Sequence, residues 1–159
     1  MRKPKEIKTY EEAKERALRL LEFRAHSKKE LKDKLKMNSV SDEIIDEVLS
    51  FCQSYGFVND AEYAKRKAMD LYKLKKYGRH RIEQELKMRG ISSDLIYDAV
   101  CEIDFDENDL MELVKKKLGG NFERKNIDKC IRYFLYRGYE FSQIKECIST
   151  LSTEEEYDI

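Results

Sequence analysis

The chain has 159 residues, with Lys/Arg and Asp/Glu equal at 32 each, 41% apolar and 40% charged residues, one proline and no tryptophan. A net charge of zero excludes a simple polycation held to nucleic acid by bulk attraction, and so much charge leaves apolar side chains for modest cores only. No run approaches the ~18 apolar residues of a membrane span, and the amino terminus, MRKPKEIKTY, lacks the apolar centre of a secretory signal, so the expected compartment is the cytoplasm, with no membrane partner.

After a basic tail at 1–9, Thr9 and Glu12 have capping-box spacing, and a first helix is expected to about Arg24 with Ala13, Ala17, Leu20 and Leu21 on one face. Ser27 and Glu30 have the same spacing ahead of a second helix carrying Leu31 and Leu35, which breaks at Asn38-Ser39. Ser41 opens a third, with Asp42 and Glu43 at the positive end of its dipole and Ile44, Ile45, Val48, Leu49 and Cys52 as its buried stripe. Gly56 ends it, Phe57-Val58 form an apolar stitch, and Asn59 with Glu62 begins the next helix.

From there the pattern repeats. Shifted by 51 residues, Leu31, Leu35, Val40, Ser41, Ile45 and Val48 fall on Ile82, Leu86, Ile91, Ser92, Ile96 and Ala99, and Ala13, Ala17 and Leu20 fall on Ala64, Ala68 and Leu71. A looser third copy, offset by 48, places Cys130, Phe134, Gly138, Tyr139, Ile144, Cys147 and Ile148 on Ile82, Leu86, Gly90, Ile91, Ile96, Ala99 and Val100. All six glycines fall at predicted helix ends. The expected fold is therefore all-α: an elongated tandem array of three three-helix repeats at 10–58, 59–104 and 105–152, closed by a frayed acidic tail at 153–159.

The four cysteines form no CxxC pair and have no histidine at zinc-ligand spacing, so they are expected to be reduced and buried. His26 sits at a helix junction and His80 in a basic cluster, neither beside a nucleophile, and nothing in the pattern implies catalysis, a metal or a cofactor.

The zero net charge hides segregation. Residues 1–36 carry thirteen basic and seven acidic side chains, 37–64 none and six, 65–89 ten and three, and 90–114 none and eight. Basic residues thus collect on the first two helices of repeats one and two, and acidic residues on the third. Such segregation suits an anionic partner on one flank. A single Lys or Arg is more simply a solvated residue, and Tyr63, Tyr72, Phe134 and Tyr139 fall on apolar stripes; Tyr77, among Lys75, Lys76 and Arg79, is the aromatic residue placed to be exposed.

Taken in order, His26-Ser27 with Glu30-Leu31 and Leu35, Gly56-Phe57-Val58-Asn59-Asp60 with Glu62-Tyr63-Ala64, and Tyr77-Gly78 with Arg81-Ile82, Glu85-Leu86 and Gly90-Ile91 resemble the RecX family of recombination regulators. The resemblance covers residues 13–100 and continues loosely through Arg137-Gly138-Tyr139. Asn59 departs from the family's usual acid, and Asn38-Ser39 from its Arg-Gly turn, though Asn suits both boundaries. The resemblance implies a non-enzymatic protein, expected as a monomer, that lies in the groove of the RecA nucleoprotein filament and inhibits strand exchange, ATP hydrolysis and repressor cleavage in the SOS response and DNA repair. The basic residues expected to face the filament or its DNA are Arg24, Lys28, Lys32, Arg66, Lys73, Lys76, Arg79, Arg81 and Arg89, with Tyr77 among them. With that reading goes weak direct contact with DNA; the alternatives are a helical module that by itself binds naked DNA substantially, with an affinity that falls steeply as salt rises, and a general interaction scaffold.

Overall fold

The computed structural model describes residues 1–157, among which it holds nine α-helices and no strand. They are α1 (Tyr10–Phe23), α2 (Lys28–Met37), α3 (Asp42–Ser54), α4 (Asp60–Lys73), α5 (Arg79–Met88), α6 (Ser93–Cys101), α7 (Glu107–Leu118), α8 (Arg124–Tyr136) and α9 (Phe141–Tyr157). The chain is an all-helical array of three-helix repeats.

Helix starts follow the expected caps. The Glu12, Glu30 and Glu62 N–H groups donate to the side chains of Thr9, Ser27 and Asn59 at 3.2, 3.1 and 3.2 Å. Each cap satisfies a donor that has no partner inside its helix. The carboxylate of Glu30 is used differently from a capping box: it accepts from Arg24 and from Tyr63.

The fold divides into two compact units, Met1–Lys67 with Leu86–Ala99, and Ala68–Glu85 with the described residues from Val100 onward. These units do not follow the repeats, since the division passes through α4, α5 and α6. In the first unit α1, α2 and α3 pack in pairs around Ala13, Ala17, Leu31, Leu35, Ile45, Val48 and Cys52, each with no measurable exposure. In the second, α7, α8 and α9 pack around Val114, Cys130, Phe134, Ile144 and Ile148.

All three repeats end their second helix in the same way. The N–H groups of Ser39, Gly90 and Gly138 donate to Lys36, Lys87 and Leu135, and those of Val40, Ile91 and Tyr139 donate to Leu35, Leu86 and Phe134. This is the Schellman motif, with a residue at positive φ followed by an apolar residue that turns back onto the helix; φ is 58° at Ser39, 78° at Gly90 and 96° at Gly138.

The carbonyl before each of these turns receives a bond from a distant segment. Arg89 O accepts from the Ser27 hydroxyl at 2.6 Å within the first unit, and Arg137 O accepts from Gly78 N–H at 2.8 Å within the second. Ser27 and Gly78 are equivalent, as are Arg89 and Arg137, so the amino end of one second helix lies against the carboxyl end of the next. In the second unit the contact pairs the Gly78 and His80 N–H groups with the Arg137 and Gly138 carbonyls at opposite dipole ends, and in the first the Ser27 hydroxyl is the donor. It also explains two glycines: a Cβ at Gly78 would meet the Gly138 and Tyr139 backbone, and one at Gly138 would meet the Arg81 backbone.

The third carbonyl, that of Asn38, accepts from Ile7 N–H at 2.9 Å, and the Asn38 side-chain amide donates to Lys5 O at 2.8 Å. The segment from Lys5 to Ile7 thus occupies in repeat one the place that a second-helix amino end takes in the other two. Ile7 is buried and joins the first core.

Three expectations are corrected. Cys101 is exposed, while Cys52, Cys130 and Cys147 are buried, where desolvation raises their thiol pKa values. Phe57 is exposed, so the stitch is made by Val58 alone. The acidic segment expected to fray is helical as far as Tyr157, because Leu151 anchors it in the core and Glu154, Glu155 and Glu156 are good helix formers; the rest of the tail assigned to 153–159, Asp158 and Ile159, lies outside the described residues.

Candidate functional site

Five of the ten expected contact residues lie in each unit. In the first, Lys28 and Arg66 are exposed and Lys32 is half-buried. Arg24 is exposed, with one arm on Glu30 at 2.7 Å and the other on Ala25 O at 2.8 Å. Arg89 is half-buried, and its backbone carbonyl takes part in the Ser27 contact.

Beside them lies a polar triad. The Tyr63 hydroxyl donates to Glu30, whose other oxygen takes Arg24. Burial pushes the Glu30 carboxyl up, but the hydrogen bonds from Tyr63 and Arg24 outweigh it and hold the group below its ordinary value. Burial first, and then the bond to Glu30, pushes Tyr63 up to about 12. Tyr63 is 8% exposed, as its place on an apolar stripe implies, so the triad is an internal brace.

The second unit brings its residues together. Tyr77 is half-buried, and two guanidinium groups approach its ring, Arg81 at 5.2 Å and Arg137 at 5.0 Å. Arg81 also lies 4.8 Å from the ring centre of Tyr136, and Arg137 lies 5.4 Å from that of Tyr133, over which Lys117 is seated at 4.2 Å. Bonding to the Tyr136 hydroxyl, and then to Glu85 at 3.0 Å, favours the charged form of Arg81. The result is an alternating ladder of Lys117, Tyr133, Arg137, Tyr77, Arg81 and Tyr136, with Tyr136 74% and Tyr133 40% exposed. Arg79 stands 5.1 Å over Phe105, while Lys73 and Lys76 are exposed.

Each contact of a cation with an aromatic face is worth ~0.5–2 kcal/mol and holds the guanidinium flat and poorly hydrated. Exposed rings between fixed cations suit a strand whose bases stack while its phosphates find positive charge. Arg137 also braces the ladder by donating to Lys75 O.

Of the ladder, only Tyr77 and Arg81 were expected. Tyr133 and Tyr136 escape a reading of α8 by its apolar stripe, and Lys117 on α7 and Arg137 just after α8 look like ordinary charged residues near helix ends. A signal was present: Tyr133 and Tyr136 lie off the stripe marked by Cys130 and Phe134, and Tyr133 and Arg137 are one turn apart. Among the described residues no group of three or more His, Cys, Asp or Glu side chains could hold a metal ion, and no helix is long and apolar enough to cross a membrane.

The family model described as RecX, first three-helix domain, matches residues 13–52, and that described as RecX, second three-helix domain, matches residues 59–100. Regulatory protein RecX of Clostridioides difficile (strain 630) is 34% identical over 155 residues, which cover 94% of this chain and 73% of that protein. Regulatory protein RecX of Vibrio vulnificus (strain CMCP6) is 32% identical over 142 residues, covering 86% and 90%. The crystal structure of RecX from Lactobacillus salivarius has the same fold, with a TM-score of 0.78 at 20% identity over 91% of this chain and 97% of that one. By its helical repeats, its matched domains and its relatives, this chain belongs to the RecX family.

Proposed function

We propose that the protein is a non-enzymatic regulator of the RecA recombinase. It binds the RecA–DNA filament in the helical groove and inhibits strand exchange, ATP hydrolysis and repressor cleavage. The relatives named regulatory proteins support a regulatory role. The observation that carries the DNA-facing part of the reading is the ladder from Lys117 to Tyr136, where cations and exposed rings alternate. A filament repeats its surface, so a repeat protein that engages successive protomers gains through high effective concentration what each contact lacks alone.

The same ladder favours a second reading, a module that binds single-stranded DNA without the recombinase. Replacing Arg66, Lys76, Arg79 and Arg81 together by Gln, and titrating the folded variant into the RecA ATPase, tests the first reading. Weakened inhibition is expected. Unchanged inhibition by a folded quadruple variant contradicts it.

A further inference from the structure

The turn from α3 to α4 contains one group that packing does not explain. Val58 is buried, Asn59 caps α4, and Gly56 at φ 71° lets the Phe57 N–H reach Cys52 O at 2.8 Å. These bonds fix the backbone of Phe57 and leave its ring in water. Phe57 is 50% exposed and Tyr55 is 66% exposed, their rings stacked at 5.8 Å with 16° between planes. Phe51 lies beside them, 4.7 Å from Tyr55 and 6.3 Å from Phe57. Three adjoining rings make a contiguous apolar patch, which marks an interaction surface more strongly than scattered apolar residues do.

The charge around the patch selects the occupant. Residues 37–64 contain no Lys or Arg. Glu47 lies one turn before Phe51 on the same face of α3, and the last turn of that helix has no basic residue of its own at the negative end of its dipole. The ring faces are themselves negative, and a cation already uses one of them: Lys14 Nζ sits 4.0 Å from the ring centre of Phe51. A phosphate strand is repelled by this setting. A cationic side chain is drawn to it, and the apolar stem of that side chain covers the rings.

We propose that Phe51, Tyr55 and Phe57, bordered by Glu47, form a docking surface for a basic protein segment, whose Lys or Arg lies on the Tyr55–Phe57 pair while adjacent apolar side chains cover the patch. The partner is a protomer of the recombinase filament, and in this the proposal rests on the function proposed above. It assigns contacts with protein to this patch and contacts with the strand to the ladder of the second unit.

The test compares the full chain with Y55A/F57A and with Glu47→Lys. Each is cosedimented with RecA filaments on single-stranded DNA, and its binding to the same DNA alone is followed by anisotropy. The expected result is that both variants keep the circular dichroism and the naked-DNA affinity of the parent and bind filaments about tenfold more weakly. Parental filament affinity in both variants overturns the proposal, and so does a parallel loss on naked DNA, which makes the patch a strand contact. Should Y55A/F57A fail to fold, the exposed Glu47→Lys change decides alone. A parent chain that does not bind filaments removes the functional reading itself, and this partner with it.

Discussion

Ile7 donates its backbone N–H to the carbonyl of Asn38 at 2.9 Å, in the position where Ser27 and Gly78 meet Arg89 and Arg137. The amino-terminal segment therefore closes the second-helix end of repeat one, and the Asn38 amide holds it there through Lys5 O. Ile7→Ala removes a side chain that is 7% exposed. It is expected to cost ~2 kcal/mol, toward the low end for core truncations because the site is at the margin. Urea unfolding measures it, and Met1→Ala, at a fully exposed position, serves as the unaffected control.

The glycines are not equivalent. Gly56 and Gly138 both have positive φ, but a Cβ at Gly56 meets nothing within 4 Å, whereas one at Gly138 meets the Arg81 backbone. Gly56→Ala should cost ~1 kcal/mol from backbone conformation alone. Gly138→Ala adds a collision that only separation of the two helix ends relieves, so its loss should be at least twice as large. Equal losses in denaturant unfolding would show that the close approach of Arg81 and Gly138 contributes nothing to stability.

The Tyr63–Glu30–Arg24 triad makes stability depend on pH at both extremes. The Tyr63 pKa, raised from 10.0 to about 12, means that its contribution is complete below pH 10 and is lost as the pH rises toward 12. Tyr139, pushed up by burial to about 12, adds a similar loss. Glu30 is held low, so its contribution is present above the usual carboxylate range and disappears as the pH falls through its folded value. Tyr63→Phe should cost ~1–3 kcal/mol at pH 7, since it takes a hydrogen bond from a half-buried carboxylate, and should shrink the alkaline loss while leaving the share due to Tyr139. Unfolding curves at pH 7 and pH 11 check both parts.

Tyr136 is 74% exposed but carries the Arg81 guanidinium over its ring and a hydroxyl bond to it, so Tyr136→Ala should cost only about 0.5–1 kcal/mol of stability. If bases stack on its ring, binding to the filament should weaken by ~1–3 kcal/mol, roughly five- to 150-fold. Tyr136→Phe should keep most of that affinity. A fall in both variants would point to the hydroxyl bond with Arg81 instead of the ring.

The fold was legible because apolar period, caps and stops agreed at most helix boundaries, and the repeat could be read from Leu31, Leu35 and Val40 recurring at Ile82, Leu86 and Ile91; α8, which starts after Glu123 without a side-chain cap, and α4, which ends at Lys73 ahead of Gly78, are exceptions. The contacts between repeats were hidden, since they are made by backbone carbonyls that any side chain could accompany. Asn38 shows the point: it was read as a helix stop and also anchors the segment from Lys5 to Ile7. The candidate surface was only half legible. Tyr77 and Arg81 stand out in a basic stretch, but Arg137 lies over fifty residues away, and only folding sets it against the same Tyr77 ring that Arg81 approaches.

The proposed function has this protein act on the recombinase filament in preference to free DNA. Its most direct test is the ATPase of the host RecA on single-stranded DNA, titrated with this protein beside its binding to the same DNA alone. The account predicts inhibition at protein concentrations well below those needed to coat naked DNA. Inhibition that appears only when the DNA itself is saturated would mean competition for the strand and would contradict it.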